Sequence, residues 1–233
     1  MDFQTAIVTG GTGLIGRALV HHLLGQGVKV GVPYRDENRY RLFRGGVTEG
    51  GLLFGKPCDL TKSDQADQFV DWFRDRVQAP IEVLVCGTGS FLRRKLGDTS
   101  ADQWNEVIAT NLTATFNVCR AVVPEMAVRN WGKVITIGAP PGLNPGHAKS
   151  EVAFAAAKAG LVAYTQALAA EVWHQDVKVN MVVPSEVIPT ADAGKKPGVT
   201  PEDVVKVIRA LLSKDSEAIS GAVVKVYGSK YDV

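Results

Sequence analysis

The sequence predicts a doubly wound α/β domain, a parallel sheet covered by helices on both faces. Three observations predict it. Short β-branched runs alternate with helical patterns along the whole chain. These runs are continuously apolar rather than alternating, as strands buried on both faces are. The first run feeds a glycine-rich turn that opens a helix. The chain has 233 residues, 45% of them hydrophobic, enough for the core of one compact domain spanning 1–233. It shows no internal repeat, low-complexity tract or linker that would divide it.

Taken in order, Ala6-Ile7-Val8-Thr9 reads as the first strand. Thr9-Gly10-Gly11-Thr12-Gly13-Leu14-Ile15-Gly16 follows it and contains Gly-x-Gly-x-x-Gly in a strand-to-helix context. Glycines there permit a tight turn and let the backbone approach a pyrophosphate, which then lies at a helix N-terminus. The loop therefore predicts a Rossmann-like dinucleotide site, the alternative being a turn that only packs helix on strand. Val28–Val32 is the second strand, and Ile81–Val85 and Lys133–Ile137 are later ones. Trp104, Val107, Ile108, Asn111, Leu112, Thr115 and Phe116 recur at helical spacing between the last two. The alanine-rich segment Ala153–Ala170 predicts a long helix with one small-residue face. Val177–Val183 and Ala222–Val226 complete the strands.

Composition narrows the function classes. The net charge of +2 gives no sign of a nucleic-acid or membrane surface. Arg35, Arg39, Arg41 and Arg44 cluster after the second strand, either as a solvated face or as a phosphate pocket. Cys58, Cys86 and Cys119 are scattered in apolar settings without metal-ligand spacing, so no metal site is expected. They read as buried reduced thiols of a cytoplasmic protein. A strand begins almost at Met1, so no signal peptide is expected, and no apolar run was expected to reach bilayer-spanning length.

The chain resembles the short-chain dehydrogenase/reductase family along essentially its whole length. Thr-Gly-x-x-Gly-x-x-Gly matches the family's cofactor loop, and the rest is more similar to the classical ketoacyl-reductase branch. Asp59-Leu60 resembles the pair at the adenine. Asn111 matches the helix asparagine, Lys133–Ile137 the strand leading to the catalytic serine, Ala156–Gly160 the surroundings of the catalytic lysine, and Val179–Pro184 the strand before the nicotinamide loop. The resemblance implies a nicotinamide dinucleotide held by Gly10, Thr12, Gly13, Leu14, Ile15, Gly16, Arg35, Asp59, Leu60, Gly87, Lys158, Pro184 and Val187. NAD-binding members carry an acid at the end of the second strand. Here Tyr34 and Arg35 stand there, which favours NADP(H), because a guanidinium fork suits a 2′-phosphate. Asp36 favours NAD(H) if the alignment shifts by two.

The family reduces carbonyls with a Tyr-x-x-x-Lys motif, a serine and an asparagine. The tyrosine gives the proton, the lysine lowers its pKa, and the serine holds the oxygen where charge develops. This chain keeps Asn111 and Lys158, but Phe154 stands at the tyrosine. The serine falls on Ala139 counted from the strand, or on Pro141 counted back from Phe154, and neither side chain donates a hydrogen bond. The family's Asn-Asn-Ala-Gly reads Cys86-Gly87-Thr88-Gly89, its Pro-Gly reads Pro184-Ser185, and the substrate-covering stretch from Ser185 to Pro201 is short. His147 is a candidate replacement acid in an otherwise polar loop with Ser150 and Glu151, while Tyr164 falls off the Phe154/Lys158 face. Three readings follow. The first is a weakly active or inactive NADP(H)-binding homologue. The second is an NADPH-dependent carbonyl oxidoreductase with a non-standard acid and a small carbonyl substrate. The third is a non-redox enzyme using Lys158. Family pairing through the helices around 104–122 and 153–170, and through the edge strand near Val223–Tyr227, implies a homodimer or tetramer, or assembly with an active homologue.

Overall fold

The computed structural model describes residues 2–228. Seven parallel strands form one sheet in the order β3-β2-β1-β4-β5-β6-β7. They are β1 (Thr5–Thr9), β2 (Lys29–Tyr34), β3 (Leu53–Pro57), β4 (Val83–Cys86), β5 (Gly132–Ile137), β6 (Val177–Pro184) and β7 (Val223–Val226). The helices are α1 (Leu14–Gly25), α2 (Glu37–Gly45), α3 (Ser63–Val77), α4 (Ala101–Ile108), α5 (Ala114–Val128), the one-turn α6 (Pro140–Leu143), α7 (Val152–Glu171) and α8 (Pro201–Leu212).

The two-residue period of the strands divides the core. Ala6, Val8, Val83 and Val85 face a layer containing Leu19 and Leu23 of α1 and Val204 and Ile208 of α8. Ile7, Leu84 and Cys86 face Phe69 and Phe73 of α3 and Val118, Val122 and Met126 of α5. The strand order reverses between β1 and β4, so the loops beyond their carboxyl ends open a crevice there. Capping boxes begin α4 at Ser100 and Gln103, and α8 at Thr200 and Asp203.

Three differences from the sequence reading have local causes. β3 escapes a reading based on apolar runs because Leu-Phe-Gly-Lys-Pro is short and half-exposed at the sheet's edge. The helical pattern 104–116 is interrupted at Ala109–Thr113 by a turn of π-helix, which rotates Asn111 to a fully buried position. α7 is 20 residues long and apolar enough by composition to cross a bilayer, contrary to the expectation that no run would be. Alanine gives that apolarity, and α7 packs against β6 and α6 with Ala157, Leu161, Thr165 and Ala169 buried, as a core helix does.

Candidate active site

The loop between β1 and α1 is a backbone cradle. Gly10 has φ +69°, and a β-carbon on it would lie 2.5 Å from the Gly87 carbonyl oxygen, so this turn and this approach both require glycine. A β-carbon on Gly16 would lie 2.2 Å from the Gly10 carbonyl oxygen, which fixes the close contact of α1 with its own loop. Gly13 caps α1 without a side chain, leaving the first-turn N–H groups directed outward. Thr9 joins this loop to the one after β4: its hydroxyl accepts from the Gly87 N–H at 3.1 Å and the Thr88 N–H at 3.3 Å. The turn Cys86–Gly89 is thus held without the family's asparagine side chains.

A cavity of about 440 Å³ lies over this cradle, lined by Gly10, Thr12, Gly13, Arg35, Arg39, Asp59, Leu60, Gly87 and neighbours. One Asp59 carboxylate oxygen accepts from the backbone and hydroxyl of Thr61, at 3.0 and 2.8 Å, and the Leu60 carbonyl accepts from Asn117 Nδ2 at 2.9 Å. The residues present therefore fit the adenosine and pyrophosphate parts of a dinucleotide: glycine backbone beneath, a helix N-terminus beside, and a fixed carboxylate across. Leu14, Ile15 and Gly16, expected to hold the dinucleotide, lie outside the cavity lining.

The four arginines separate by role. Arg41 pairs with Glu37 at 3.0 Å, and Arg44 donates to the Gly50 and Leu53 carbonyls. Arg35 and Arg39 line the cavity. Arg35 reaches Glu106 at 3.3 Å, whereas Arg39 has no ion-pair partner among the described residues. Asp36 caps α2 by accepting from the Arg39 N–H at 3.0 Å, which engages one of its oxygens. Tyr34 stacks on Tyr40 with centroids 4.1 Å apart and donates to Glu37 at 2.7 Å, so its ring belongs to the packing. Burial and the Glu37 hydrogen bond push the Tyr34 phenol up to about 12.

β5, α4–α5 and α7 converge where the family resemblance would put the catalytic residues. Lys158 is buried and its ammonium donates to the Ile137 carbonyl at 2.9 Å, at the end of β5. Ala139 follows two residues later as the N-cap of α6. Ala139 and Pro141 both line the adjoining cleft. The Phe154 ring centroid is 5.7 Å from Lys158 Nζ, and Phe91 meets Phe154 edge-on at 5.0 Å and 88°. A ring face attracts an ammonium, but here no phenol shares its proton. Desolvation lowers the Lys158 pKa from 10.5 to about 8. Asn111 Nδ2 donates to the Ser90 and Val107 carbonyls at 2.8 and 3.0 Å, and its buried Oδ1 has no protein partner.

The cleft beside Phe154 measures about 800 Å³ and also contains Pro184, Val187, His147 and Glu151. That size suits a small-molecule site. His147 is exposed, with Nδ1 3.0 Å from Asn144 Nδ2. Glu151 departs from the polar loop in which the sequence places it. It is buried at 7% exposure and accepts from Arg93 at 2.7 and 2.9 Å. The two residues are 58 apart in sequence, so no local pattern could pair them. Tyr164 sits away from the cleft, edge-on to Phe116 at 6.4 Å, and burial raises its pKa. Cys58, Cys86 and Cys119 are buried free thiols. Among the described residues no group of side chains is arranged to hold a metal. The stretch after β6 holds only a short turn of 3-10 helix at Thr190–Asp192, with Val187 bridged to Val199.

Comparison with known proteins agrees with this geometry. A family model described as short chain dehydrogenase matches residues 4–197. D-beta-hydroxybutyrate dehydrogenase of Rhizobium meliloti is 30% identical, covering 87% of this chain and 81% of that protein. The 3-oxoacyl-[acyl-carrier-protein] reductase MabA of Mycobacterium bovis is also 30% identical, over 97% of this chain and 92% of that protein. Among solved structures, a protein from Bacillus thuringiensis provisionally described as a 3-oxoacyl-reductase superposes with a TM-score of 0.89 at 30% identity, covering 99% of each chain. The citronellol catabolism dehydrogenase AtuB of Pseudomonas aeruginosa gives 0.85 at 26% identity, over 97% of this chain and 94% of that one. With the glycine cradle, the retained asparagine and lysine and the parallel seven-stranded order, these matches make the chain a member of the short-chain dehydrogenase family.

Proposed function

We propose that this protein binds NADP(H) and is weakly active or inactive as a carbonyl oxidoreductase, because it lacks the hydroxyl pair that would complete the reaction. The observation that carries this reading is the Phe154 ring, edge-on to Phe91 and with the Lys158 ammonium over its face. The dinucleotide, when bound, supplies hydride. The protein must then supply a proton and steady the oxygen that becomes negative. Phe154 and Ala139 can do neither. Losing a positioned acid costs about 10²–10⁴ in rate, and losing an oxyanion donor about 10²–10³. The two losses belong to one constellation and need not multiply. Lys158, without a tyrosine to act on, is left to the cofactor, with Asn111 bracing the helix beside it.

The NADP(H) preference rests on Arg35 and Arg39 at the rim of the adenosine-side cavity and on the engagement of Asp36 as a helix cap. A charge-assisted hydrogen bond contributes about 1.5–3 kcal/mol. Arg39→Ala and Arg35→Ala should each weaken NADPH by roughly tenfold or more and leave NADH nearly unchanged. Fluorescence titration reads this directly. Equal loss for both nucleotides would remove the 2′-phosphate assignment.

A second reading has one observation in its favour: His147 lines the same cleft as Phe154. It would make the protein a carbonyl oxidoreductase acting on 3-oxoacyl or small ketone substrates, the class its named relatives suggest. NADPH oxidation that disappears in His147→Ala, with nucleotide affinity kept, would favour it. In either reading the half-exposed Trp104 and Phe116 at the α4–α5 surface suit pairing with a second copy or with an active homologue.

A further inference from the structure

The second recess at the cleft's mouth is not accounted for by the dinucleotide. It measures about 850 Å³ and shares Arg93, His147 and Glu151 with the cleft beside Phe154. Two distant segments build it. Arg94 and Glu151 form a β-bridge, and the Arg94 N–H donates to the Ser150 carbonyl, so residues 93–95 and 149–151 are fastened together. Ser150 adopts φ +60° at this junction. The fastening brings Arg94, Lys95 and Lys149, all exposed, to the lining of one shallow, open recess.

The charges there are unequal in kind. Arg93 is committed to the buried Glu151 and is largely neutralised by it. Arg94, Lys95 and Lys149 have no ion-pair partner among the described residues, and the remaining acid of the recess is Asp98. The recess is therefore net positive, while the floor of the joined cleft is apolar, with Phe91, Phe154, Pro140 and Pro141. We propose that the recess is an anion subsite and that the cleft takes an amphipathic anion: an apolar body against Phe91 and Phe154, and a carboxylate or phosphate head at Arg94 and Lys149. This rests on the cleft being the ligand site of the proposed function, but not on NADP(H) being its cofactor. Exposed ion pairs each contribute little and are screened by salt. The head therefore selects the ligand, and the apolar body provides most of the affinity.

The test is calorimetric titration of the full chain with octanoate, octyl phosphate and uncharged 1-octanol. Octanoate and octyl phosphate are expected to bind about tenfold more tightly than 1-octanol at low salt, with the advantage lost at high salt. The two anions against each other tell whether a carboxylate or a phosphate is preferred. Arg94→Gln with Lys149→Gln should remove the anion advantage and leave 1-octanol unchanged. Phe91→Ala should weaken all three. NADPH titration of each variant keeps this separate: loss of nucleotide binding with the anion selectivity intact would fail the proposed cofactor, not this subsite. Equal binding of octanoate and 1-octanol, or octanoate binding unaffected by the double substitution, would overturn the proposal.

Discussion

Lys158 concentrates the chemistry of the site at the scale of one residue. Its ammonium is desolvated and has one hydrogen bond, to the Ile137 carbonyl, with the Phe154 face beyond. It loses its proton near pH 8 when folded and near 10.5 when exposed. Between those values the unfolded chain holds the extra proton, so this group makes stability rise with pH across that window. Its burial penalty is complete below pH 8 and amounts to roughly 3 kcal/mol. Urea unfolding of wild type against Lys158→Met should therefore show the variant's relative advantage shrinking as pH rises from neutral toward 10. A difference independent of pH would mean that Lys158 is not held as a desolvated cation. Phe154 was legible because Lys158 fixes the four-residue spacing. The serine position was not, since Ala139 and Pro141 both fitted the count. The Arg93–Glu151 pair had no signal in the sequence, because it depends on how separate segments meet, and the arginine cluster showed Arg39 without showing which of its members pair.

At the scale of elements, the cradle is backbone geometry, which is why glycines revealed it. Gly10→Ala would put a methyl at φ +69° and against the Gly87 carbonyl, at a cost of about 1–3 kcal/mol, and should remove nucleotide binding with it. Denaturant midpoint and NADPH titration should fall together. A variant of full stability and full affinity would show that the two loops do not depend on this contact. Thr200→Ala opens the capping box of α8 and should cost about 1 kcal/mol, read as a lower denaturant midpoint. Strands buried on both faces announced themselves as apolar runs. β3 did not, because an edge strand keeps one side free and can carry Gly, Lys and Pro. The π-turn at Asn111 was invisible for a related reason: one extra residue in a helical turn leaves the local pattern nearly unchanged while rotating everything beyond it.

For the whole molecule, the fold class followed from the alternation, the continuous apolar runs and the glycine turn, while the sheet order, with its one reversal between β1 and β4, came from the structure. Trp104 at 38% exposure and Phe116 at 46% lie on the surface shared by α4 and α5. Sedimentation should find at least a dimer, and Phe116→Asp should shift it toward monomer. A monomeric wild type would remove pairing from the account. The proposed function stands on a scaffold that keeps its dinucleotide cradle and lacks its proton donor. Single-turnover oxidation of bound NADPH by a 3-oxoacyl thioester tests it most directly, comparing wild type with Phe154→Tyr/Ala139→Ser. Both should bind NADPH, wild type should stay near background, and the double variant should be faster by about 10² or more. Wild-type turnover equal to that of the double variant would contradict it.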